Sequence, residues 1–231
     1  MQIVILAGGV AKRLGELTLE SPKGMLNVEG KPFLQYQIEL LKLQGVTNIV
    51  FCIAHLGHFI EDFFKDGRDF GVRITYSREP DRLLGTGGCV KYAEALLLDT
   101  FMVMYGDTYL RLNYSNVWAA QGKHPEDGLM VVYRNENKYD RSNLRVENGF
   151  VTDYSYQHSG EFVYIDHGLS VLRKDSLKDF RRGENFGLQE VFLKLIKAGK
   201  LRAYEAEERF YEVGSFEGLE NFKAYVKKEI L

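Results

Sequence analysis

The sequence predicts an α/β protein built on a doubly wound, mostly parallel sheet flanked by helices. Three observations lead there. Apolar, β-branched runs recur at 2–6, 48–53, 72–76 and 101–105. Segments with a helical period separate them, joined by short links. Glycine-rich turns follow the first and last of these runs, where a parallel sheet presents ligand-binding loops.

Gln2-Ile3-Val4-Ile5-Leu6 reads as a buried first strand. It delivers the turn Leu6-Ala7-Gly8-Gly9, followed by Lys12, Arg13 and, ten residues on, Ser21-Pro22-Lys23. Two glycines let the backbone turn sharply and bring its N–H groups close to a ligand. With three cations nearby, such a turn suits an anion, most naturally a polyphosphate. An ordinary strand-to-helix turn with solvated lysines explains the turn alone equally well. Gly-x-Gly-x-x-Gly fails after Gly9 and no Gly-Lys-Ser/Thr follows, which argues against a dinucleotide fold and a P-loop NTPase.

Val28 to Pro32 predicts a tight turn, and Phe33, Tyr36, Gln37, Leu40, Leu41 and Leu43 a helix ending at Gly45. A strand at 48–53, a helix marked by Ile60, Phe63 and Phe64, and a strand at 72–76 follow. A loop then leads to Gly85-Thr86-Gly87-Gly88, ahead of a predicted helix over 89–97. Three glycines in four residues predict close approach of some group to the backbone. In the preceding loop, Glu79 could accept hydrogen bonds from the N1–H and 2-amino group of guanine, a pattern other bases lack. The fourth strand, 101–105, ends in Gly106-Asp107-Thr108. A carboxylate there sits at the ligand crevice of an open α/β sheet. If the first turn holds phosphates, Asp107 is placed to hold a bridging Mg²⁺.

The second half changes character. Short strands are predicted at 128–133, 143–146 and 150–154, the last two joined by an Asn148-Gly149 hairpin turn. Residues 161–166 lead into a strand at 167–172; helices are predicted at 177–182 and 187–198, with Arg181-Arg182 a solvated helix end. A strand around 201–204, a short segment 210–215 and a helix through Lys227 close the chain. With no linker or repeat in view, residues 1–231 read as one domain. A nucleotide-binding half, 1–127, precedes a smaller β-rich, substrate-binding half, 128–231.

Thirty basic against thirty-two acidic residues leave a net charge of −2, which gives no support for nucleic-acid binding. No apolar run approaches membrane-spanning length, and the start is too short for a signal peptide, so a cytoplasmic protein is expected. Cys52 and Cys89, far apart in sequence, read as reduced thiols. His55 and His58 read as a surface pair rather than a zinc site.

Ordered motifs now carry a resemblance. Leu6-Ala7-Gly8-Gly9-x-x-x-Arg13-Leu14, Pro22-Lys23-x-Met25-Leu26, Gly30-Lys31-Pro32, Leu84-Gly85-Thr86-Gly87-Gly88 and Gly106-Asp107 resemble the sugar-1-phosphate nucleotidylyltransferases. The match is densest over 1–110. It implies a Rossmann-like nucleotidyltransferase fold and transfer of a nucleotidyl group from an NTP to a sugar 1-phosphate, with Mg²⁺ and release of pyrophosphate. By position it implies that Leu6, Ala7, Gly8, Gly9, Gly85 and Thr86 face the nucleotide. Arg13 would meet the leaving pyrophosphate and Lys23 the reacting phosphates, while Asp107 would bind metal. Phe210-Tyr211-Glu212-Val213-Gly214-Ser215 matches the motif that carries the second metal ligand, with Glu212 in place of Asp. Asp166 and Gly168 would face the sugar phosphate. Ala11 and Gly24 stand where the family often has Gly and Pro, and its Glu-Lys-Pro segment is not recognisable around Tyr156-Gln157-His158.

The first half looks most like guanylyltransferases acting on mannose- or heptose-type 1-phosphates, which points to GTP and to capsule or lipopolysaccharide precursors. Cytidylyl or uridylyl transfer, a non-sugar phosphate acceptor, and a non-catalytic nucleotide-sugar sensor are the rival expectations. The sequence is compatible with a homo-oligomer.

Overall fold

The computed structural model describes residues 1–9, 21–80, 82–124, 128–155 and 162–230. Its first half runs β1 (Gln2–Leu6), the hairpin β2 (Asn27–Val28) and β3 (Lys31–Pro32), α1 (Phe33–Leu43), β4 (Asn48–Ile53), α2 (His58–Phe64), β5 (Arg73–Arg78), α3 (Gly85–Tyr92), β6 (Thr100–Tyr105), β7 (Thr108–Leu110) and α4 (Tyr114–Gly122). The second runs β8 (Gly128–Arg134), β9 (Leu144–Glu147), β10 (Phe150–Tyr154), β11 (Tyr164–Arg173), α5 (Leu188–Lys197), β12 (Leu201–Ala206), β13 (Phe210–Glu212) and α6 (Phe216–Glu229).

Nine strands form one sheet in the order β5-β4-β1-β6-β11-β8-β12-β10-β9. The strands of the first half, β5, β4, β1 and β6, are all parallel. Those of the second half add mostly antiparallel: β11 opposes both β6 and β8, and only β12 runs parallel to its neighbour β8. The sheet is therefore mixed, and both halves of the sequence share it.

Burial on both faces explains the unbroken apolar runs. Ile3, Ile5, Ile49, Phe51, Met102 and Met104 point into one core cluster, while Val4, Val50, Cys52, Phe101 and Val103 point into the other. Each fully buried Val, Ile or Phe is worth roughly 1.5–3 kcal/mol. A third cluster seats Phe222, Tyr225 and Val226 of α6 against Phe33, Tyr36 and Tyr109. It ties the C-terminal helix to the small ribbon that β7 makes with β13.

Several elements depart from expectation. The helix expected over 89–97 starts four residues earlier, at Gly85, and gives way to a 3₁₀ turn at Glu94–Leu96. The helix expected over 177–182 is a 3₁₀ turn, Lys174–Leu177, followed by non-helical turns. There Phe180 stacks on Phe186, with ring centroids 4.0 Å apart and planes 9° off parallel. Gly183, at φ +84°, then turns the chain back toward α3. Arg182 caps no helix; its guanidinium lies 4.3 Å over the ring of Tyr92. Residues 164–173 form one strand with an irregularity between Asp166 and Ser170, where Gly168 takes φ +97°. Cys52 and Cys89 are both free, and the fold brings them together, with Cys52 Sγ 3.6 Å from the Cys89 carbonyl oxygen.

Candidate active site

The carboxyl ends of β1 and β6 lie side by side, and the turns that follow them interlock. The Gly106 N–H donates to the Leu6 carbonyl at 3.0 Å. A Cβ at Gly106 would fall 2.7 Å from that oxygen, so only glycine lets the two turns touch. Asp107 follows immediately.

A cavity of about 250 Å³ opens at this edge, lined by Leu6, Ala7, Gly8, Gly9, Lys23, Glu79, Gly85, Thr86 and Asp107, with Gly24, Leu83, Cys89, Tyr105 and Gly106. Arg13 lies outside the described residues, as does the segment around Tyr156. Glu212, Asp166 and Gly168 do not line this cavity.

Lys23 opens a 3₁₀ turn after Pro22. Its ammonium donates to Asp107 Oδ2 at 3.0 Å, with side chains 19% and 32% exposed. Glu212 arrives through the β7–β13 ribbon, whose register sets it opposite Thr108, and the Val213 N–H donates to the Asp107 carbonyl at 2.9 Å. The Glu212 carboxylate accepts from the Gly214 N–H and from the Ser215 hydroxyl. A Cβ placed on Gly214 would lie 2.8 Å from Glu212 Oε2, 3.3 Å from Asp107 Oδ2 and 3.3 Å from Lys23 Nζ. Two carboxylates and one ammonium thus converge on a single point.

At the opposite wall, Glu79 Oε2 accepts from the Leu84 N–H at 2.7 Å. Its Oε1 lies 2.9 Å from where a Cβ of Gly8 would stand, so this carboxylate is set against the glycine turn. Desolvation raises its pKa, partly countered by the Leu84 hydrogen bond.

The close approach expected at the glycines 85–88 is made by residues 184–187. The Gly87 and Gly88 N–H groups donate to the Phe186 carbonyl at 3.0 and 3.1 Å. A Cβ at Gly85 would lie 2.5 Å from that oxygen, and one at Gly87 2.4 Å from the Phe186 ring. What approaches the backbone is the chain itself. Gly85 and Thr86 face the cavity, but the Thr86 hydroxyl also accepts from the Leu188 N–H at 2.9 Å.

Asp166 and Gly168 line a second, tight cavity of about 10 Å³ with Val103, Tyr105, Ser170, Leu188 and Phe192. Tyr105 borders both cavities. Asp166 accepts from the Gly168 N–H at 2.9 Å and the Tyr154 hydroxyl at 3.1 Å. Burial outweighs both bonds and pushes its pKa up to about 6.

His167, between them in sequence, escaped the sequence reading. It is 1% exposed, packed between Tyr133 and Phe210, with Nε2 2.9 Å from the Glu208 carbonyl and Nδ1 without a hydrogen-bond partner among the described residues. Burial pushes its pKa down to about 4, so it is neutral and donates through Nε2. A lone histidine in a strand carries no sequence signal that separates this role from a surface one.

Among the described residues no group of three or more His, Cys, Asp or Glu gathers as a metal site. Asp107, which lines the cavity, and Glu212, which meets it at Gly214, are two hard carboxylates, a donor set suited to Mg²⁺ that completes its shell with phosphate oxygens and water.

Comparison with known proteins fits this geometry. The nucleotidyl transferase family matches residues 2–143. The chain is 30% identical over 216 residues, covering 93% of it and 95% of the relative, to D-glycero-alpha-D-manno-heptose 1-phosphate guanylyltransferase of Campylobacter jejuni. Over 127 residues, 54% of this chain and 55% of the relative, it is 38% identical to N-acetylmuramate alpha-1-phosphate uridylyltransferase of Neisseria meningitidis. The crystal structure of HddC from Yersinia pseudotuberculosis superposes with a TM-score of 0.82 at 25% identity, covering 97% of this chain and 98% of that one. This chain belongs to the nucleotidyl transferase family, among its sugar-1-phosphate nucleotidylyltransferases.

Proposed function

We propose that the protein transfers a guanylyl group from GTP to a sugar 1-phosphate of the manno type, mannose or a heptose, giving the GDP-sugar and pyrophosphate. The observation that carries the site is the convergence of Lys23, Asp107 and Glu212, the first two lining one cavity with Gly8, Gly9 and Glu79.

The chemistry follows from charge. A sugar phosphate oxygen is already anionic near neutral pH, so the nucleophile needs no general base. It attacks the α-phosphorus of the NTP; the new P–O bond forms as the bond to the pyrophosphate oxygen breaks, and pyrophosphate leaves with the electron pair. The obstacle is bringing anions together, which cationic groups and positioning overcome. Lys23 supplies one cation, paired with Asp107 in the free protein, and by its place in the family's first motif Arg13 would supply a second for the leaving pyrophosphate. Asp107 and Glu212 would hold Mg²⁺, which supplies charge neutralisation on the phosphates when bound.

Glu79 supports the choice of base. Its carboxylate is fixed by the Leu84 N–H and offers acceptor oxygen to the N1–H and 2-amino group of guanine. The guanylyltransferase relative aligned over 93% of the chain points the same way. Asp166, which lines the tight cavity with Gly168 and with Tyr105, the residue common to both cavities, is our candidate for a sugar hydroxyl. The uridylyltransferase likeness, confined to 54% of the chain, favours UTP as the second reading. We take the whole chain to act as one domain, with Mg²⁺ as its cofactor, in the cytoplasm and in the supply of capsule or lipopolysaccharide precursors. A pyrophosphate-release matrix of four NTPs against sugar 1-phosphates tests this: turnover is expected to peak with GTP and a manno-configured acceptor, and preference for UTP overturns the base assignment.

A further inference from the structure

The wall of the cavity that faces Gly8 is held in place by the other half of the chain. Residues 183–188, which lead into α5, lie along residues 82–88, the approach to α3 and its first turn, and bond to them repeatedly. The Asn185 side-chain amide donates to the Leu83 carbonyl at 2.7 Å, and the Arg82 guanidinium to the Gly183 carbonyl at 2.8 Å. The Phe186 N–H donates to the Leu84 carbonyl at 3.0 Å, and its own carbonyl accepts from Gly87 and Gly88. Phe186 is anchored by its stack on Phe180. The same Leu84 donates its N–H to Glu79, so the strap reaches the carboxylate through one residue. On its far side, α5 supplies Leu188 and Phe192 to the tight cavity at Asp166.

We propose that Asn185 is a positioning residue for nucleotide binding, fixing Leu83 and Leu84 so that Glu79 and the cavity wall keep their places. It lines neither cavity and is exposed, so it acts through Leu83 rather than on a ligand. The proposal rests on the reading of this cavity as the nucleotide site. The bond matters because a free loop must be ordered at each binding event, at a cost a pre-ordered loop avoids.

The test compares Asn185→Ala and Asn185→Asp with wild type. Asp keeps the shape but loses the N–H₂ donor and sets a carboxylate against the Leu83 carbonyl, so it should weaken GTP binding at least as much as Ala. The KM for GTP and its dissociation constant by calorimetry are expected to rise about three- to fivefold, the effect of one lost hydrogen bond. The kcat, the KM for the sugar phosphate and the melting temperature should stay near wild type. An Asn185→Asp variant with unchanged GTP affinity overturns the proposal, as does a uniform loss of kcat and both KM values with a lowered melting temperature. Wild-type protein that binds GTP without turnover would sink the reaction assignment alone, because the affinity ratio still decides the role of Asn185. Wild-type protein that binds no nucleoside triphosphate overturns both.

Discussion

The ammonium of Lys23 lies 3.0 Å from the carboxylate of Asp107, and both line the cavity together with the Gly8-Gly9 turn. Both side chains keep some exposure to water, so the pair itself adds little to folding, about 1 kcal/mol or less. On the proposed function its value is chemical, the pair holding Lys23 in the cavity where the phosphates would bind. Lys23→Ala is therefore expected to cut kcat by about 10²-fold or more while the melting temperature barely moves. Steady-state pyrophosphate release with thermal melting of the same preparation checks both halves.

Glu212 sits in the ribbon beside Asp107 but spends its oxygens on Gly214 and Ser215, and Ser215 caps α6 by accepting from the Gly218 N–H. Glu212→Gln keeps the shape and loses the charge. The Mg²⁺ concentration for half-maximal activity should rise several-fold in this variant, read from a metal titration at saturating substrates. An unchanged titration would remove Glu212 from the metal assignment.

Glu79→Gln tests the base. An amide puts an N–H₂ donor group where the carboxylate offers only acceptors, so the match to guanine is lost and one group is left unpaired. Discrimination between GTP and ATP in kcat/KM is expected to fall about 10- to 100-fold, in line with the cost of an unpaired buried polar group. Competition between the two nucleotides gives the ratio directly.

His167 makes stability depend on pH. Its folded pKa is about 4 against an ordinary 6.5, so between those values the unfolded chain binds a proton that the folded one refuses. Stability falls as pH drops from 6.5 toward 4, by up to about 3 kcal/mol from this residue. His167→Gln should flatten that limb in denaturant melts taken between pH 7 and pH 4.

Asp166 works with the opposite sign. Its folded pKa, about 6, lies above the ordinary 3.8, so its contribution is fully present below about pH 4 and lost as pH rises through 6. Asp166→Asn is expected to raise the melting temperature most above pH 6, while raising the KM for the sugar phosphate.

The parallel core was legible because its strands are buried on both faces and read as continuous apolar runs: Gln2–Leu6 and Asn48–Ile53 fall where the sequence puts them. The Asn148-Gly149 turn was legible for a local reason, both residues taking positive φ, 52° and 77°. Residues 177–182 misled because Leu177 and Phe180 share a helical spacing and one buried cluster, although the 3₁₀ turn between Lys174 and Leu177 ends before Phe180, which stacks on Phe186. The glycines at 85–88 announced close approach without naming the partner, since the approaching segment, 184–187, lies a hundred residues on in the chain. Gly24, where a proline is frequent, became intelligible only with Leu34 in place: a Cβ there would lie 2.5 Å from the leucine side chain. The motif residues of the cavity could be found by type and spacing, whereas the strap that fixes them is written in long-range hydrogen bonds.

The most direct measurement is pyrophosphate release from GTP and a manno-type sugar 1-phosphate with Mg²⁺, run on wild type and on Asp107→Asn. Wild type should turn over and the variant, folded with an unchanged melting temperature, should lose about 10²-fold or more. Near-wild-type turnover by folded Asp107→Asn protein would contradict the account.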